Sequence, residues 1–243
     1  HTPQPEIWGN YITPLIRCAV PIFFMISGYF TYGKKDITHT IHKRIAQLLK
    51  IFGVVFIFYF VFSLIANGKD SLEHLSALFS YNFILLNSVP YSMHLWYISA
   101  YIYVLLIILL VERFNLYKWL FFITPILLLT ALTLGKYSEI LLGSCFPTNY
   151  TRNFLFTGLP FFTLGMLIKK AKQLPNIYMS GVLCIIFYIL GFIEVLYVKN
   201  LGDFYASTIF LSLSIFILFT NIKQVKDNIF SKTGREDSLY IYL

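Results

Sequence analysis

Apolar runs of bilayer-crossing length alternate with short polar loops along this chain. A spanning helix needs about 20 mostly apolar residues. That template predicts seven spans, at Ile12–Tyr32, Gln47–Ala66, His94–Val111, Tyr117–Leu134, Phe154–Ile168, Tyr178–Val198 and Phe204–Asn221. Ser238–Leu243 begins a further apolar run, and the chain opens on His1 rather than methionine. The expectation is one domain over residues 1–243 that lacks a preceding helix and the end of its last one. The apolar patch Leu72–Val89 is interrupted by Glu73, His74, Asn82 and Asn87, which predicts an amphipathic helix lying on the membrane face. The predicted fold class is all-α, a polytopic transmembrane helix bundle.

Composition supports this pattern. Hydrophobic residues make up 58% and charged residues 12% of the 243 positions, against roughly 45–50% and about 25% in soluble domains. The mean hydropathy is +0.71. A net charge of +8 would suggest a nucleic-acid partner if the basic residues formed one surface, but they follow the loops. Lys34, Lys35, Lys43, Arg44 and Lys50 share one side with Arg113, Lys118, Lys169, Lys170, Lys172, Lys223, Lys226, Lys232 and Arg235. The opposite loops hold only Lys69, Lys136, Arg152 and Lys199, and Arg17 lies inside the first span. The positive-inside rule places the richer side in the cytoplasm. The charge therefore reports topology, and a nucleic-acid partner is excluded. His1, residues 67–93, 135–151 and 199–203 face outward.

Several polar residues exceed what an anchor needs. Arg17 lies about one turn inside its span, where a charge is costly. It either snorkels to the headgroups or lines an outer cavity, and Pro21 with the Ser27-Gly28 pair allows a kinked, closely packed wall. His42, Lys43 and Arg44 read as a topology signal at a cytoplasmic helix start or as a phosphate-recognition cluster. His94, Trp96, Tyr97, Ser99 and Tyr101 are consistent with an interfacial aromatic belt or with a site that pairs a titratable group and an aromatic platform. Arg152 is equally an anchor or a cavity cation. The three cysteines have no metal-ligand spacing, and no P-loop, dinucleotide fingerprint, HExxH or nucleophile elbow occurs. No metal is expected. Catalysis has to rest on scattered His and Arg residues gathered by helix packing.

The blocks RCAVPIFFMISGYF, HKRIAQLLKIF, HLWYISAYIYVLLI, RNFLFTGLPFFTLGMLIKK and SLYIYL, in that order, resemble the acyltransferase-3 family of integral membrane proteins, whose core has about ten helices. Within it, the AVPIFFMISGY form is most similar to the membrane portion of membrane-bound serine racemases of vancomycin-resistant enterococci. The resemblance implies transfer of an acyl group, often acetyl, from acyl-CoA on the cytosolic side to a hydroxyl of a small-molecule or cell-envelope acceptor outside. It implies a multi-pass protein of the bacterial plasma membrane. By resemblance the catalytic histidine falls on His1, with Arg152 assisting, and the donor-binding residues are Arg44 and Lys43. Arg17, Ser27, His94, Trp96 and Tyr97 are the cavity candidates, and Trp96 matches a family tryptophan. Histidine suits removal of a hydroxyl proton near neutrality, and arginine suits a developing oxyanion or a phosphate.

The closer relatives imply an alternative of another class, a module that binds or transports L-serine without acyl transfer, with Arg17 or Arg152 pairing with the carboxylate. In those relatives a separate soluble pyridoxal-phosphate domain, fused or associated after the membrane part, carries out racemisation. This chain has no pyridoxal-phosphate lysine context of its own. A plain structural anchor is the third reading, and it leaves the intramembrane polar groups without a purpose.

Overall fold

The computed structural model describes residues 5–68, 74–198 and 204–222. Among these residues every regular element is helical and no strand occurs. Hydrocarbon imposes this, because a helix satisfies its backbone polar groups within one segment.

Helices α1 (Pro5–Ile16) and α2 (Ala19–Thr31) make the first crossing, with a break at Arg17 and Cys18. Pro21 has no N–H, so the Arg17 carbonyl lacks its donor four residues on. The Cys18 N–H bonds to the Leu15 carbonyl at 3.0 Å, a tighter turn than α-helix. The kink expected at Pro21 therefore falls at Arg17 itself.

Helix α3 (Ile37–Asn67) starts well before the predicted Gln47. Asp36 caps it, its carboxylate accepting the His39 N–H at 2.9 Å. With 31 residues it is about 46 Å long at 1.5 Å per residue, against about 30 Å of hydrocarbon. His42, Lys43 and Arg44 consequently lie along the helix rather than at its start. The predicted amphipathic helix at Leu72–Val89 is divided instead into a 3-10 turn (His74–Phe79) and a short helix α4 (Tyr81–Ile84).

A 3-10 turn (Met93–Leu95) leads into α5 (Trp96–Arg113), and α6 (Tyr117–Leu134) returns. The short α7 (Ser138–Leu142) and a 3-10 turn (Thr148–Tyr150) follow. A π-helical turn (Phe154–Gly158) then runs directly into α8 (Leu159–Lys170), followed by α9 (Ile177–Tyr197) and α10 (Ala206–Asn221). Among the described residues five helices are long and apolar enough to cross a membrane: Gly9–Thr31, Ile37–Ala66, Met93–Arg113, Tyr117–Leu134 and Ile177–Tyr197. The other two predicted spans are helical but shorter.

Helix α8 is short because it faces protein. Leu159, Pro160, Phe161, Phe162, Thr163, Gly165, Met166 and Ile168 are all buried. Its neighbour α2 approaches at backbone contact. A Cβ on Gly28 would lie 1.9 Å from the Phe162 carbonyl oxygen, and one on Gly165 would lie 2.0 Å from that of Met25. Small residues let membrane helices meet this closely, and dispersion then replaces the missing hydrophobic drive. Phe24, Met25, Phe161, Phe162 and Met166, all 0% exposed, fill the contact. On the other flank, Tyr11 stacks on Phe192 at 4.7 Å, and the Tyr188 hydroxyl donates to the Tyr11 carbonyl at 3.0 Å.

Asn87 links the outer loop to this core. It is 0% exposed and sits at φ 54, a left-handed conformation that asparagine tolerates. Its amide donates to Ser99 Oγ at 3.0 Å, and its carbonyl oxygen accepts the Phe154 N–H at 2.9 Å. Asn153 caps the π-helical turn, accepting the N–H groups of Leu155 and Phe156 at 3.0 Å each.

Three substitutions test these contacts, each read by thermal unfolding in detergent. Gly28→Ala should destabilise by about 3 kcal/mol or more, through backbone overpacking. Gly181→Ala, in α9 with nothing within 4 Å of an added Cβ, should be neutral or slightly stabilising. Asn87→Ala should cost about 2 kcal/mol or more by leaving the buried Phe154 N–H unsatisfied. A Gly28→Ala chain as stable as its parent would refute the α2–α8 contact.

Candidate functional site

The interruptions in the helices meet at the end that the loop charges assign to the outside. Ile16, Arg17, Val20 and Pro21 come from the α1–α2 break, and His94 and Trp96 from the turn into α5. Arg152 and Thr157 come from the π-helical segment, and Phe204 from the residue pair ahead of α10. Together they line a cavity of about 350 Å³, within the size range of small-molecule sites. The Arg152 guanidinium lies 5.9 Å from the centre of the Trp96 ring, a cation–π distance.

Four candidates from separate sequence blocks are therefore brought to one wall: Arg17, His94, Trp96 and Arg152. Arg17 sits there because Pro21 breaks its helix. Arg152 sits there because Asn87 and Asn153 fix the chain on its C-terminal side. The π-helical turn beside it is a feature frequent at functional sites. Thr157 Oγ1 donates to the Thr151 carbonyl at 2.7 Å and closes this segment on itself.

The remaining candidates lie elsewhere. Tyr97 turns from the cavity wall into the α2–α5 contact, edge-on to Phe23 and Phe24 at 4.9 and 5.1 Å. Tyr101 stacks beside it at 6.3 Å. Ser27 is buried, its hydroxyl donating to the Phe23 carbonyl at 3.0 Å. Arg44 is half-buried and points inward, donating to Thr31 Oγ1 at 2.8 Å and to the Tyr101 hydroxyl at 3.4 Å. Lys43 is exposed, and so is His42, whose Nδ1 is 2.8 Å from the Thr38 carbonyl. His1 lies outside the described residues.

Beside the cavity is a polar cluster that residue patterns did not single out. Glu194, in the last turn of α9, accepts the Ser207 N–H at 3.0 Å together with the Ser207 and Tyr137 hydroxyls. The Tyr137 oxygen in turn accepts the Ala206 N–H at 3.2 Å. A carboxylate and a phenol from other elements thus cap the N-terminus of α10, where the helix dipole favours negative charge. Burial, then the hydrogen bond to Glu194, pushes the Tyr137 phenol well above its ordinary value. The Lys136 ammonium, only 6% exposed, lies 4.8 Å from the Tyr205 ring. An acid inside an apolar span was the one available signal for this cluster, since such groups are seldom idle. Among the described residues no three His, Cys, Asp or Glu side chains group to hold a metal ion.

Comparison with known proteins agrees with this architecture. The acyltransferase-domain model of the acyltransferase-3 family matches residues 1–243. A curated relative, an amino-acid racemase of Enterococcus faecalis, is 27% identical over 191 residues, which is 72% of this chain and 26% of the relative. The chain thus spans about a quarter of that relative's length. No solved structure matches. Matched along its whole length, and built of several apolar helices, this chain belongs to the acyltransferase-3 family of multi-pass membrane proteins.

Proposed function

We propose that this chain is a membrane O-acyltransferase of the bacterial cytoplasmic membrane. It takes an acyl group, acetyl by resemblance, from acyl-CoA on the cytosolic side and delivers it to a hydroxyl acceptor, a small molecule or an envelope component, at the outer face. The observation that carries this reading is the convergence of Arg17, His94, Trp96 and Arg152 on one outer cavity, in a chain matched throughout by an acyltransferase model. Arg44 supports the donor side. It reaches inward to Thr31 and Tyr101, and Tyr101 stacks on Tyr97, the neighbour of cavity-lining Trp96.

In this mechanism the acceptor hydroxyl oxygen attacks the thioester carbonyl while His1 removes its proton. The new C–O bond forms, the C–S bond breaks, and the departing CoA sulfur takes the proton. Arg152 stabilises the oxyanion that develops between these steps, as a fixed cation in a poorly solvated site does efficiently. Arg44 and Lys43 hold the phosphates of CoA. Ser27 is not among the described lining residues of the cavity, and its hydroxyl bonds to the Phe23 carbonyl of its own helix.

A second reading is favoured by the curated relative's name, amino-acid racemase. In it the chain binds or carries an amino acid, L-serine by resemblance, and transfers no acyl group. Any racemase activity then belongs to a soluble domain that works with the chain.

These readings separate in reconstituted vesicles. With labelled acetyl-CoA inside, acyl transfer predicts labelled acceptor outside. His1→Ala should lower the rate about 100-fold or more with the fold intact, and Arg152→Ala should lower it by a similar factor. His94→Ala should have a smaller effect on turnover. Normal turnover in the His1 variant overturns that assignment of the base. Labelled L-serine uptake above that of empty vesicles, without acyl transfer, favours the second reading.

A further inference from the structure

The segment that leads into α5 borders another pocket besides the cavity of Arg17 and His94. It encloses about 460 Å³, within the size range of small-molecule sites. Ser63 comes from the C-terminal part of α3, Ser80 and Asn82 from the cap and first turn of α4, and Ser88 and Tyr91 from the segment that follows. Tyr91 lines this pocket, whereas His94, three residues on, lines the other.

The frame of this pocket is fixed. Asn87 is buried and bonded on both sides, and the Ser88 N–H donates to the Asn82 carbonyl at 2.9 Å. The Tyr91 ring sits edge-on to Phe56 and Phe60 of α3, at 5.6 and 5.5 Å. Tyr91 adopts φ 68, a left-handed conformation that is an outlier for a bulky residue. Such strain persists only where the surroundings enforce it, and it gathers at ligand sites. Here it sets an aromatic side chain into the pocket wall.

The lining is polar but uncharged. Among the described lining residues none is Asp, Glu, Lys, Arg or His. The Ser80 hydroxyl is engaged within the chain, donating to the Ala77 carbonyl at 2.6 Å and accepting the Phe83 N–H at 3.3 Å. Asn82 and Ser88 are exposed, so their polar groups are open to solvent or to a ligand. A carboxamide and a hydroxyl each donate and accept, which matches ligand hydroxyls that do the same. A charged ligand would find no counter-ion among these side chains. Pro90 and the Tyr91 ring add apolar surface for the C–H face of a sugar ring.

We propose that this pocket binds an uncharged sugar unit, held by Asn82 and Ser88 against Tyr91. Calling that sugar part of an acyl acceptor rests on the acyl-transfer reading, whereas its binding does not. The same chemistry is presented by a soluble or polymer-borne sugar and by the headgroup of a glycolipid.

The test measures binding without any acyl donor, by saturation-transfer NMR on the chain in phosphatidylcholine nanodiscs prepared without glycoside detergent. The probes are methyl α-D-glucoside, methyl α-D-mannoside and N-acetyl-D-glucosamine, with D-glucuronate and D-glucosamine as charged controls. Saturable binding of at least one neutral sugar, and weaker binding of both charged controls, is the expected result. Asn82→Ala and Ser88→Ala should each weaken it about threefold or more. Ser88→Trp, at an exposed position, should fill the pocket and abolish binding, with thermal unfolding as the check on its fold. Should that variant fail to fold, the alanine variants carry the test. Displacement of the free sugar by glucosyl diacylglycerol in the disc identifies a lipid headgroup as the source, and no displacement identifies a soluble or polymer-borne sugar. Failure of all three neutral sugars to bind, equal binding of D-glucuronate, or unchanged affinity in the folded variants overturns the proposal. Sugar binding with no acyl transfer leaves this inference standing and removes the acyl-transfer reading instead.

Discussion

The contact on which the rest of the structure depends is the backbone approach of α2 and α8 at Gly28 and Gly165. Lipid tails are as apolar as leucine, so burying apolar surface gives membrane helices little reason to associate. Packing has to supply the attraction, and it is strongest where no side chain separates two backbones. At both glycines an added Cβ would fall about 2 Å from a carbonyl oxygen of the other helix. This contact fixes the register between the two helices and surrounds α8 with protein along its length. The outer ends of the same two helices lead to Arg17 and Arg152, so the spacing between the cavity cations follows from the glycine contact.

The cavity exists because neither helix runs straight to the outer surface. Pro21 deprives the Arg17 carbonyl of its donor, and the chain turns there. Beyond α8, the π-helical turn and its Asn153 cap replace a regular helix end, and Asn87 ties the turn to α5 through Ser99. Irregular backbone at the edge of a bilayer is tolerated where protein or water satisfies it. Here asparagine side chains do so. The functional candidates thus occupy the places where helical regularity is given up, with buried amides absorbing the cost.

Charge balance at this end depends on a division of labour. Glu194 is spent on the N-terminus of α10, where helix dipole and hydrogen bonds stabilise an anion. The cations are held by aromatic rings, Arg152 at Trp96 and Lys136 at Tyr205. Rings stabilise a cation without neutralising it. On the opposite side Arg44 is turned inward by Thr31 and Tyr101, because α3 begins early and carries it along a helix face towards α5.

By itself the sequence determined the class and the order of helices, because hydropathy acts locally and adds along the chain. It also singled out Arg17, His94, Trp96 and Arg152, since charged and amphipathic residues near an apolar span are costly and stand out. It misjudged the start of α3, because hydropathy reports where a helix meets lipid and is blind to a helix that continues through charged turns. It left open whether each arginine was an anchor or a cavity cation, since both roles place it at the same depth. Only the tertiary structure brings Arg17 and Arg152 to one cavity wall, because that depends on which face of each helix points inward. The same holds for Glu194 and Asn87. Glu194 matters through an N–H group of a different helix, and Asn87 through a chain segment far away in sequence. Those partners are set by packing, which no local pattern of residues encodes.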